Sequence, residues 1–559
     1  MVSLWGSNKN GDEDQQDGQS TPRDTESGRA GPPPSRREYQ RREQEADERT
    51  RLLPANPRPP HRDGYLDPDD PAASPNHHAS LYSVSPYNLW TVRFLRYLTI
   101  LFLVINFLWW VLLLVSIFVS PPGLHTRGSG FFDFSYTTLT AGNLLVAILF
   151  FATPSKAMRI SGAIIAVFLL IDFIIIMAVG RIRMEEGWPG IASVAWATLM
   201  AAWCILVDRV VAWGKKEEEE RLTGREETRR TLKEWSAVLV ATIILVAYAI
   251  VTVLLTATLI IRARDSTLEY DGSRIFVDGD KYQVHLACIG NVTYNAEGNP
   301  NPTMILEAGE NPSEYDFEHW AYSAYQNGTI DRYCYWDRPG YGWSDNAPSP
   351  HSAGMSADAL SEALAIEGEE GPWILVSAGY GSIVSRIFSA RHVRNIAGMM
   401  LIDPLHEDLL HRISSPGRGF ILWGWGRILG AIFNGRTRED RVYGRSAHQG
   451  GKFIKAQLQE NLVADSLTKN EVVSARNIQS PNVPLVVISS AISNRRDSEW
   501  ERKQRDLTKL TDNLLSWDVV SKAPHEVWHT LDGRKVMEKR LKDLVDAGYN
   551  AVSVADEEL

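Results

Sequence analysis

Apolar and polar positions divide the chain into three parts. Residues 1–90 contain almost no periodic apolar positions and are rich in Pro, Gly, Ser and charged residues. Such a segment cannot bury enough surface to offset its ordering entropy, which predicts a disordered tail. Five apolar segments follow within 91–265, each near the ~20 residues that cross a bilayer core. We place these spans at about 97–119, 134–153, 160–180, 189–213 and 236–261.

The third part, residues 266–559, alternates strand-like with helix-like runs. This alternation predicts βαβ units and a mostly parallel sheet, and the length suits one α/β domain with its own core. Strands are predicted at Tyr282–Cys288, Thr303–Leu306, Tyr333–Trp336, Trp373–Val376, Gly398–Ile402 and Pro484–Ser489. We therefore predict a helical membrane region of about five spans followed by an α/β domain.

Charges next to the spans predict their orientation. Arg93 and Arg96 precede the first span, and a cluster of Lys and Arg fills the loop at 214–234. The positive-inside rule puts both in the cytosol, so five spans place the C-terminal domain in a lumen or outside the cell. The N-x-[ST] sequons at Asn291 and Asn327 lie in that domain and agree as glycosylation candidates.

Charge and cysteine content exclude some functions. The formal net charge is −10, and no basic stripe is interleaved with aromatic residues, so nucleic acid is not an expected partner. The chain has three cysteines, and no Cys/His cluster has zinc spacing. We expect no metal and no cofactor.

The N-terminal tail contains one short motif that suggests a destination. Glu48 stands four residues before the pair Leu52 and Leu53. This arrangement resembles the acidic dileucine signal that sorting adaptors read for delivery to vacuoles or lysosomes, and a chance match is the alternative. It favours the vacuolar membrane.

Four motifs of the C-terminal domain point to one fold family. Asp337-Arg338-Pro339-Gly340-Tyr341-Gly342-Trp343-Ser344 is a specific turn sequence, and Ser377-Ala378-Gly379-Tyr380-Gly381 follows the apolar strand Trp373–Val376. Leu401-Ile402-Asp403-Pro404 ends the next strand, and His525 precedes a final helix at about 533–547. Together they resemble the α/β-hydrolases of the large alpha/beta-hydrolase-1 group. The strand–turn–helix at Ser377–Gly381 corresponds to the nucleophile elbow.

The resemblance assigns roles to residues and exposes a gap. Gly379 stands at the nucleophile position and has no side chain that could attack a substrate. His525 matches the catalytic base, and the backbone amides of Tyr380 and Glu310 match the oxyanion donors. The acid is open between Asp497 and Asp403. The fold also makes the strands of Cys288 and Cys334 neighbours, which allows a disulfide if their side chains face each other.

Two functions from different classes remain open at this point. A degenerate hydrolase domain that binds a ligand or partner fits Gly379. A membrane-tethered esterase or lipase with a non-standard nucleophile fits His525 and the lid predicted at 407–475, whose apolar stretch suits a lipid-like ligand. A transporter has only the intramembrane Asp172 in its favour.

The whole chain also resembles a fungal family of membrane proteins of unknown function. Its members are sometimes labelled mitochondrial integral membrane proteins, which makes a mitochondrial membrane the alternative to the vacuolar one. The partners that follow are the lipid bilayer, an apolar ligand and a sorting adaptor at the tail.

Overall fold

The expected order of apolar helices and strands is present in a computed structural model of the chain. The structure describes residues 89–124, 126–223, 231–414 and 437–557. The predicted disordered tail up to residue 88 and its motif of Glu48, Leu52 and Leu53 lie outside the described residues. The same holds for 415–436, which include the apolar stretch of the predicted lid.

Five helices lie in the described residues of the N-terminal part. They are α1 (Trp90–Phe118), α2 (Phe131–Leu149), α3 (Lys156–Ala178), α4 (Gly180–Thr223) and α5 (Leu232–Asp265). Among the described residues, all but α2 are long and apolar enough to cross a membrane by length and composition. Large apolar side chains such as Ile164, Val167 and Leu170 point outward from the bundle and are exposed. A continuous surface of this kind is unfavourable in water and suits contact with lipid.

Helix α2 differs because it packs inside the bundle. It contacts α1 and α4, and its buried positions include the polar residues Asp133, Thr137, Thr140 and Asn143. Since other helices surround this face, α2 does not need the hydropathy of a helix in contact with lipid.

The helix ends that meet the C-terminal domain alternate along the chain. The end of α1, the start of α2, the α3–α4 junction and the end of α5 each bond to that domain. The contacts are Ser120 N to Ser349 O (2.9 Å), Lys455 Nζ to Gly128 O (3.1 Å), Arg181 Nη2 to Trp343 O (3.5 Å) and Arg441 Nε to Asp265 Oδ2 (2.8 Å). Helix α2 therefore runs through the depth of the bundle, back from the domain.

An eight-stranded sheet forms the centre of the C-terminal domain. Its strand order is β1-β2-β4-β3-β5-β6-β7-β8; β1 and β2 run antiparallel to their neighbours and the remaining pairs are parallel. The strands are β1 (Ser273–Val277), β2 (Tyr282–Gly290), β3 (Thr303–Glu307), β4 (Arg332–Asp337), β5 (Trp373–Ala378), β6 (Ile396–Ile402), β7 (Leu485–Ser490) and β8 (Leu514–Val520). The six predicted strands are all present. Both edge strands, β1 and β8, are additional to the prediction.

Helices cover both faces of this sheet, and each face packs its own apolar cluster. The described helices of the domain are α6 (Phe317–Gln326), α7 (Ala353–Glu367), α8 (Gly381–Arg391), α9 (Arg438–Val442), α10 (Gly451–Val463), α11 (Lys469–Ile478), α12 (Ala491–Arg496), α13 (Ser498–Leu507) and α14 (Leu531–Glu557), and of these α9 and α10 contact the bundle. The architecture is that of an α/β-hydrolase: a mostly parallel sheet with a helical insertion between β6 and β7.

The insertion packs against the helical bundle. Ile454 and Leu458 of α10 belong to the apolar cluster that α2–α5 form. Lys455, between them, is buried and donates to Thr126 O and Gly128 O in the loop before α2. The bundle and the sheet domain accordingly form one compact unit, Ser83–Leu559.

The two cysteines of the C-terminal domain lie on neighbouring strands of the sheet, and its two sequon asparagines lie at the surface. Cys288 on β2 lies opposite Cys334 on β4 in the antiparallel register, and a disulfide joins them. Asn291 and Asn327 are both exposed. The Asn327 amide donates to Glu538 Oε1 at 2.7 Å.

Candidate functional site

The elbow is a tight turn between β5 and α8. Gly379 follows β5 directly and has φ +44°, in the left-handed region that favours glycine. Gly381 begins α8, and a Cβ added there would lie 2.3 Å from Ala308 O. The loop after β3 therefore approaches the elbow so closely that only a glycine fits at this position.

The carboxylate of Glu310, on the loop after β3, occupies the space above Gly379. An ideal Cβ on Gly379 would lie 2.7 Å from both Oε1 and Oε2 of Glu310. This is the space into which the side chain of a nucleophile would project. The site therefore has an acid from a different loop where a hydrolase of this fold has its nucleophile.

Glu310 is joined to His525 and Asp403 in one hydrogen-bonded row. His525 Nε2 lies 3.2 Å from Glu310 Oε2, and His525 Nδ1 lies 2.7 Å from Asp403 Oδ2. Asp403 follows β6 and His525 follows β8, so the carboxyl ends of the parallel strands bring them together. The residues predicted as base and as one of the candidate acids are thus in contact with each other, and Glu310 is the third member of the row.

Asp403 is buried, and both of its oxygens accept hydrogen bonds. Oδ1 accepts from Ser490 N (3.1 Å) and Trp500 Nε1 (3.1 Å), and Oδ2 accepts from Ser493 Oγ (2.9 Å) besides facing His525. Its backbone has φ +40°, an uncommon value for a residue other than glycine. Four partners hold this carboxylate in a strained turn, which fixes the imidazole of His525 in turn.

The electrostatics of the row favour an ion pair. Burial lowers the pKa of His525, but the charge of Glu310 and the hydrogen bonds from Asp403 and Glu310 outweigh burial and raise the pKa well above the usual value. Burial raises the pKa of Glu310, but His525 and Arg338 bring it down to about 2. Both ring nitrogens of His525 face carboxylate oxygens, which favours the imidazolium form, and an imidazolium has no lone pair with which to act as a base.

Arg338 holds the loop that carries Glu310. Its guanidinium is buried and donates to Glu307 Oε1 (2.9 Å), Gly309 O (2.6 Å) and Glu460 Oε1 (3.1 Å). It comes from the turn Asp337–Ser344 that the sequence identifies. This arginine ties the loop after β3 to the lid helix α10, and so positions the Glu310 backbone.

Two cavities lie near these elements. The one beside Glu310 has a volume of about 10 Å³ and is bordered by Pro312, Tyr315 and Trp528. The other, about 140 Å³, lies between the bundle and the lid and is lined by Arg181, Glu185, Arg262, Asp265, Arg441 and Lys452 among others. Among the described residues, the space next to the elbow holds about one water molecule.

One comparison decides the family. An uncharacterized protein of Schizosaccharomyces pombe is 31% identical over 508 residues, which cover 84% of this chain and 93% of that protein. The chain belongs to its family.

Other similarities cover parts of the chain. Residues 48–288 match the family described as "Region of unknown function (DUF2417)". An uncharacterized vacuolar membrane protein of Saccharomyces cerevisiae is 28% identical over 324 residues, 48% of this chain and 50% of that protein. Among solved structures, MGS-M2, an alpha/beta hydrolase enzyme from a deep-sea metagenome library, is 14% identical, with coverage of 49% of this chain and 96% of MGS-M2 and a TM-score of 0.35. An enol-lactonase from Burkholderia xenovorans is 14% identical with coverage of 49% and 100% and a TM-score of 0.34.

The structure separates the two candidate acids of this family member. Asp403 contacts His525, whereas Asp497 caps α13, accepting from Glu499 N at 2.9 Å, and forms an ion pair with Arg412. Asp497 is therefore a surface capping residue, because the turn after β7 becomes the short helix α12 and carries it away from His525. Sequence order alone favours neither acid.

The remaining predicted residues surround the elbow. Tyr380 caps the N-terminus of α8, and its ring faces the Arg338 guanidinium at 5.1 Å. Ser382 donates its hydroxyl to Gly379 O at 2.7 Å, behind the turn. The feature that sequence reasoning missed is the Glu310 side chain, which we considered only for its amide. The signal available was a carboxylate one residue after the oxyanion loop in a chain whose nucleophile position is glycine.

Proposed function

We propose that the hydrolase-fold domain is a non-catalytic scaffold of a membrane-anchored protein and does not perform serine-type acyl transfer. One observation carries this proposal: the Glu310 carboxylate fills the volume above Gly379 and pairs with His525. Acyl transfer needs a nucleophile, a neutral base and room for the acyl group. This arrangement supplies none of the three near neutral pH.

The joint between the domain and the bundle supports a structural role. The helix α10, which a lipase would use in its lid, packs Ile454 and Leu458 into the bundle. Lys452 Nζ donates to Gly342 O and Ser344 O, and Lys455 Nζ donates to Thr126 and to Gly128 O in the loop before α2. An element held in this way suits ligand or partner binding by a rigid unit better than gated access to an active site.

The test is ester hydrolysis by the purified full-length protein, with short and long acyl chains. We expect no activity in the wild type and none in Gly379→Ser, since the new Cβ meets the Glu310 carboxylate at 2.7 Å. The double variant Gly379→Ser/Glu310→Ala vacates that space and frees His525, so activity is expected there if the Asp403–His525 pair is competent. Hydrolysis by the wild type that is lost in His525→Ala would overturn the proposal.

A second candidate function rests on the exposure of Glu310. Its side chain is 53% exposed and stands where a nucleophile acts, next to an assembled His525–Asp403 pair. A Glu310 oxygen could displace a leaving group from a saturated carbon, forming a carbon–oxygen ester bond as the leaving group departs with the electron pair. Esterification removes the negative charge that favours the imidazolium, so His525 can release its proton to solvent. The neutral imidazole then takes a proton from a water that attacks the ester carbonyl, the alkyl group leaves as an alcohol, and the Glu310 carboxylate is restored.

This alternative predicts a covalent intermediate. Incubation of His525→Gln with an alkyl halide or an epoxide would leave the alkyl group on the peptide that contains Glu310, detected by mass spectrometry. Glu310→Gln is the matched control and should stay unlabelled. An unlabelled Glu310 peptide in folded His525→Gln removes the second candidate and leaves the scaffold.

We further infer that the protein resides in the vacuolar membrane with the hydrolase-fold domain in the lumen. The location is supported by the relative in Saccharomyces cerevisiae and by the tail motif, and the orientation by the basic cytosolic loops, the alternating helix ends and the disulfide. Lumenal exposure predicts glycans on Asn291 and Asn327. Deglycosylation should increase electrophoretic mobility in the wild type and leave the variant Asn291→Gln/Asn327→Gln unchanged; no shift in the wild type would count against a lumenal domain.

A further inference from the structure

Two acidic side chains inside the helical bundle have carboxylate oxygens that lack a hydrogen-bond donor among the described residues. Asp133 on α2 is 1% exposed and Glu186 on α4 is 0% exposed. Both oxygens of Asp133 and Oε2 of Glu186 have no partner among the described residues. A buried carboxylate without donors is among the most unfavourable groups in a protein interior.

The two side chains lie close together because α4 has a glycine at the contact. A Cβ built on Gly190 would lie 2.7 Å from Asp133 Oδ1, 2.7 Å from Glu186 Cβ and 3.4 Å from Glu186 Oε2. The unpartnered oxygens of both acids therefore border the same small space. Glu186 is placed there by the break in α4, where Gly187 has φ +62° and Pro189 follows.

The two neighbouring cations, Arg262 and Lys455, bond to other oxygens than the three that lack a partner. Arg262 on α5 donates to Glu186 Oε1 at 2.9 Å and also pairs with Glu185. Lys455 Nζ on α10 bonds to Thr126 O, Thr126 Oγ1 and Gly128 O, at 3.1 to 3.3 Å, and these three contacts match its three N–H donors. These groups reduce the negative potential but supply no hydrogen bond to the three open oxygens.

We propose that Asp133 binds a proton and donates it to Glu186 Oε2, which makes the pair a proton-binding site at the end of the bundle that faces the hydrolase-fold domain. Arg262 is the cation bonded to the pair, and it is shared with Glu185, so within the described residues the second carboxylate in this buried space has no bonded cation of its own and a proton can take that place. The bound proton also becomes the missing donor, because the protonated acid donates to the ionised one. One proton thus satisfies an oxygen on each side chain.

Further titratable groups face the site from the other helices. Tyr136 lies one turn beyond Asp133 on α2, and its hydroxyl lies 3.1 Å from Asp172 Oδ2 on α3. Asp172 is 0% exposed, and its Oδ1 also has no partner among the described residues. With Glu185, Arg262 and Lys455, these groups complete the charged and titratable surroundings of the pair.

The test is infrared spectroscopy of the full-length protein in lipid nanodiscs at neutral pH. A protonated carboxyl has its own C=O stretch, which shifts in D2O, and ionised carboxylates lack it. We expect the wild type to show such a band and the variant Asp133→Asn/Glu186→Gln to lose one carboxyl equivalent. Asp172→Asn is the control, and the band of the pair should persist in it.

Two further measurements keep the inference open to refutation. Labelling aspartate with ¹³C at its carboxyl carbon in Asp172→Asn should shift the band, and adding Asp133→Asn should remove the shifted band, which separates Asp133 from Asp172. A wild type without the band would overturn the proposal. A melting temperature that rises with Na⁺, K⁺ or Ca²⁺ in the wild type alone would do the same, by assigning the space to a cation.

Discussion

The chain contains two groups of buried carboxylates that differ in how their oxygens are bonded. At the elbow, Asp403 accepts from Ser490, Ser493 and Trp500 and faces His525. In the bundle, Asp133 has no donor on either oxygen among the described residues. The carboxylate of Asp403 therefore has hydrogen-bond donors at both oxygens, whereas that of Asp133 has none among the described residues.

This difference indicates a structural role for Asp403 and a binding role for the pair of Asp133 and Glu186. A carboxylate with every acceptor site filled has nothing further to bind, and its charge is neutralised by a fixed imidazolium. The pair of Asp133 and Glu186 has three oxygens without a donor in the described part of the chain, and a proton is the smallest group from outside the protein that can supply one. At the elbow, which carries the hydrolase resemblance, the acceptor sites of Asp403 are thus filled. At the Asp133–Glu186 pair, which no motif identified, acceptor sites are unfilled by the residues described.

The largest expected effect comes from replacing Asp403, whose carboxylate oxygens both accept hydrogen bonds. Asp403→Ala leaves the His525 imidazolium, the Ser490 amide and the Trp500 indole without their acceptor. Breaking a buried, bonded pair on one side should lower the apparent free energy of unfolding by about 3–5 kcal/mol. Thermal or denaturant unfolding of the purified protein in detergent measures the change.

The matched control is the other candidate acid. Asp497→Ala removes a helix cap and an exposed ion pair, which together should cost about 1 kcal/mol. Equal losses in the two variants would mean that the bonds around Asp403 contribute no more than a surface cap, and the contrast between the two carboxylate groups would fail.

A smaller effect is expected from filling the space between Asp133 and Glu186 in the bundle. Gly190→Ala places a methyl group 2.7 Å from both Asp133 Oδ1 and Glu186 Cβ. Overpacking of this kind should destabilise the protein by about 1–3 kcal/mol, despite the better helix propensity of alanine. Gly180→Ala on the same helix meets nothing within 4 Å and should stay within about 0.5 kcal/mol of the wild type. Equal melting temperatures for both variants would show that the space is larger than the structure indicates.

Strong local signals explain why the fold could be predicted. Five of the six predicted strands are largely apolar runs, Tyr282–Cys288 alternates apolar with polar residues, and the Asp337–Ser344 turn is a specific signal of the resemblance. The edge strands β1 and β8 escaped because they are not continuous apolar runs. In β8, Leu514, Leu515 and Val519 are exposed while Asp518 pairs with Arg540, so neither period nor composition marks a strand.

The site was harder to predict because its chemistry depends on distances between loops. Gly379 was recognisable from the elbow pattern, and so was His525 from its position. That the carboxylate of Glu310 fills the place of the missing side chain follows only from the close approach of the loop after β3, which Arg338 fixes from a third segment. Asp133 was likewise missed, since one acid at the start of a less apolar helix resembles an ordinary boundary.

The smallest expected effect tests the ion pair at the elbow through its pH dependence. The pKa of His525 is raised, so its share of the stability is complete below about 6.5 and is lost as pH rises through the folded value. The pKa of Glu310 is lowered to about 2, so its share is present above about 4.3 and is lost as pH falls toward 2. The melting temperatures of the wild type and Glu310→Gln should therefore differ most between about pH 4.5 and 6.5 and converge outside that window.

The size of that difference also matters. Because Glu310 is half exposed, water screens the pair, and the difference should stay below about 1 kcal/mol. Glu318→Gln, another acid of the same domain that faces Tyr333 rather than His525, is the control and should not reproduce the window. A difference that stays constant from about pH 5 to pH 9 would mean that Glu310 does not favour the charged form of His525 in the folded protein. The base would then be available, and the elbow would be open to chemistry that its hydrogen bonds otherwise exclude.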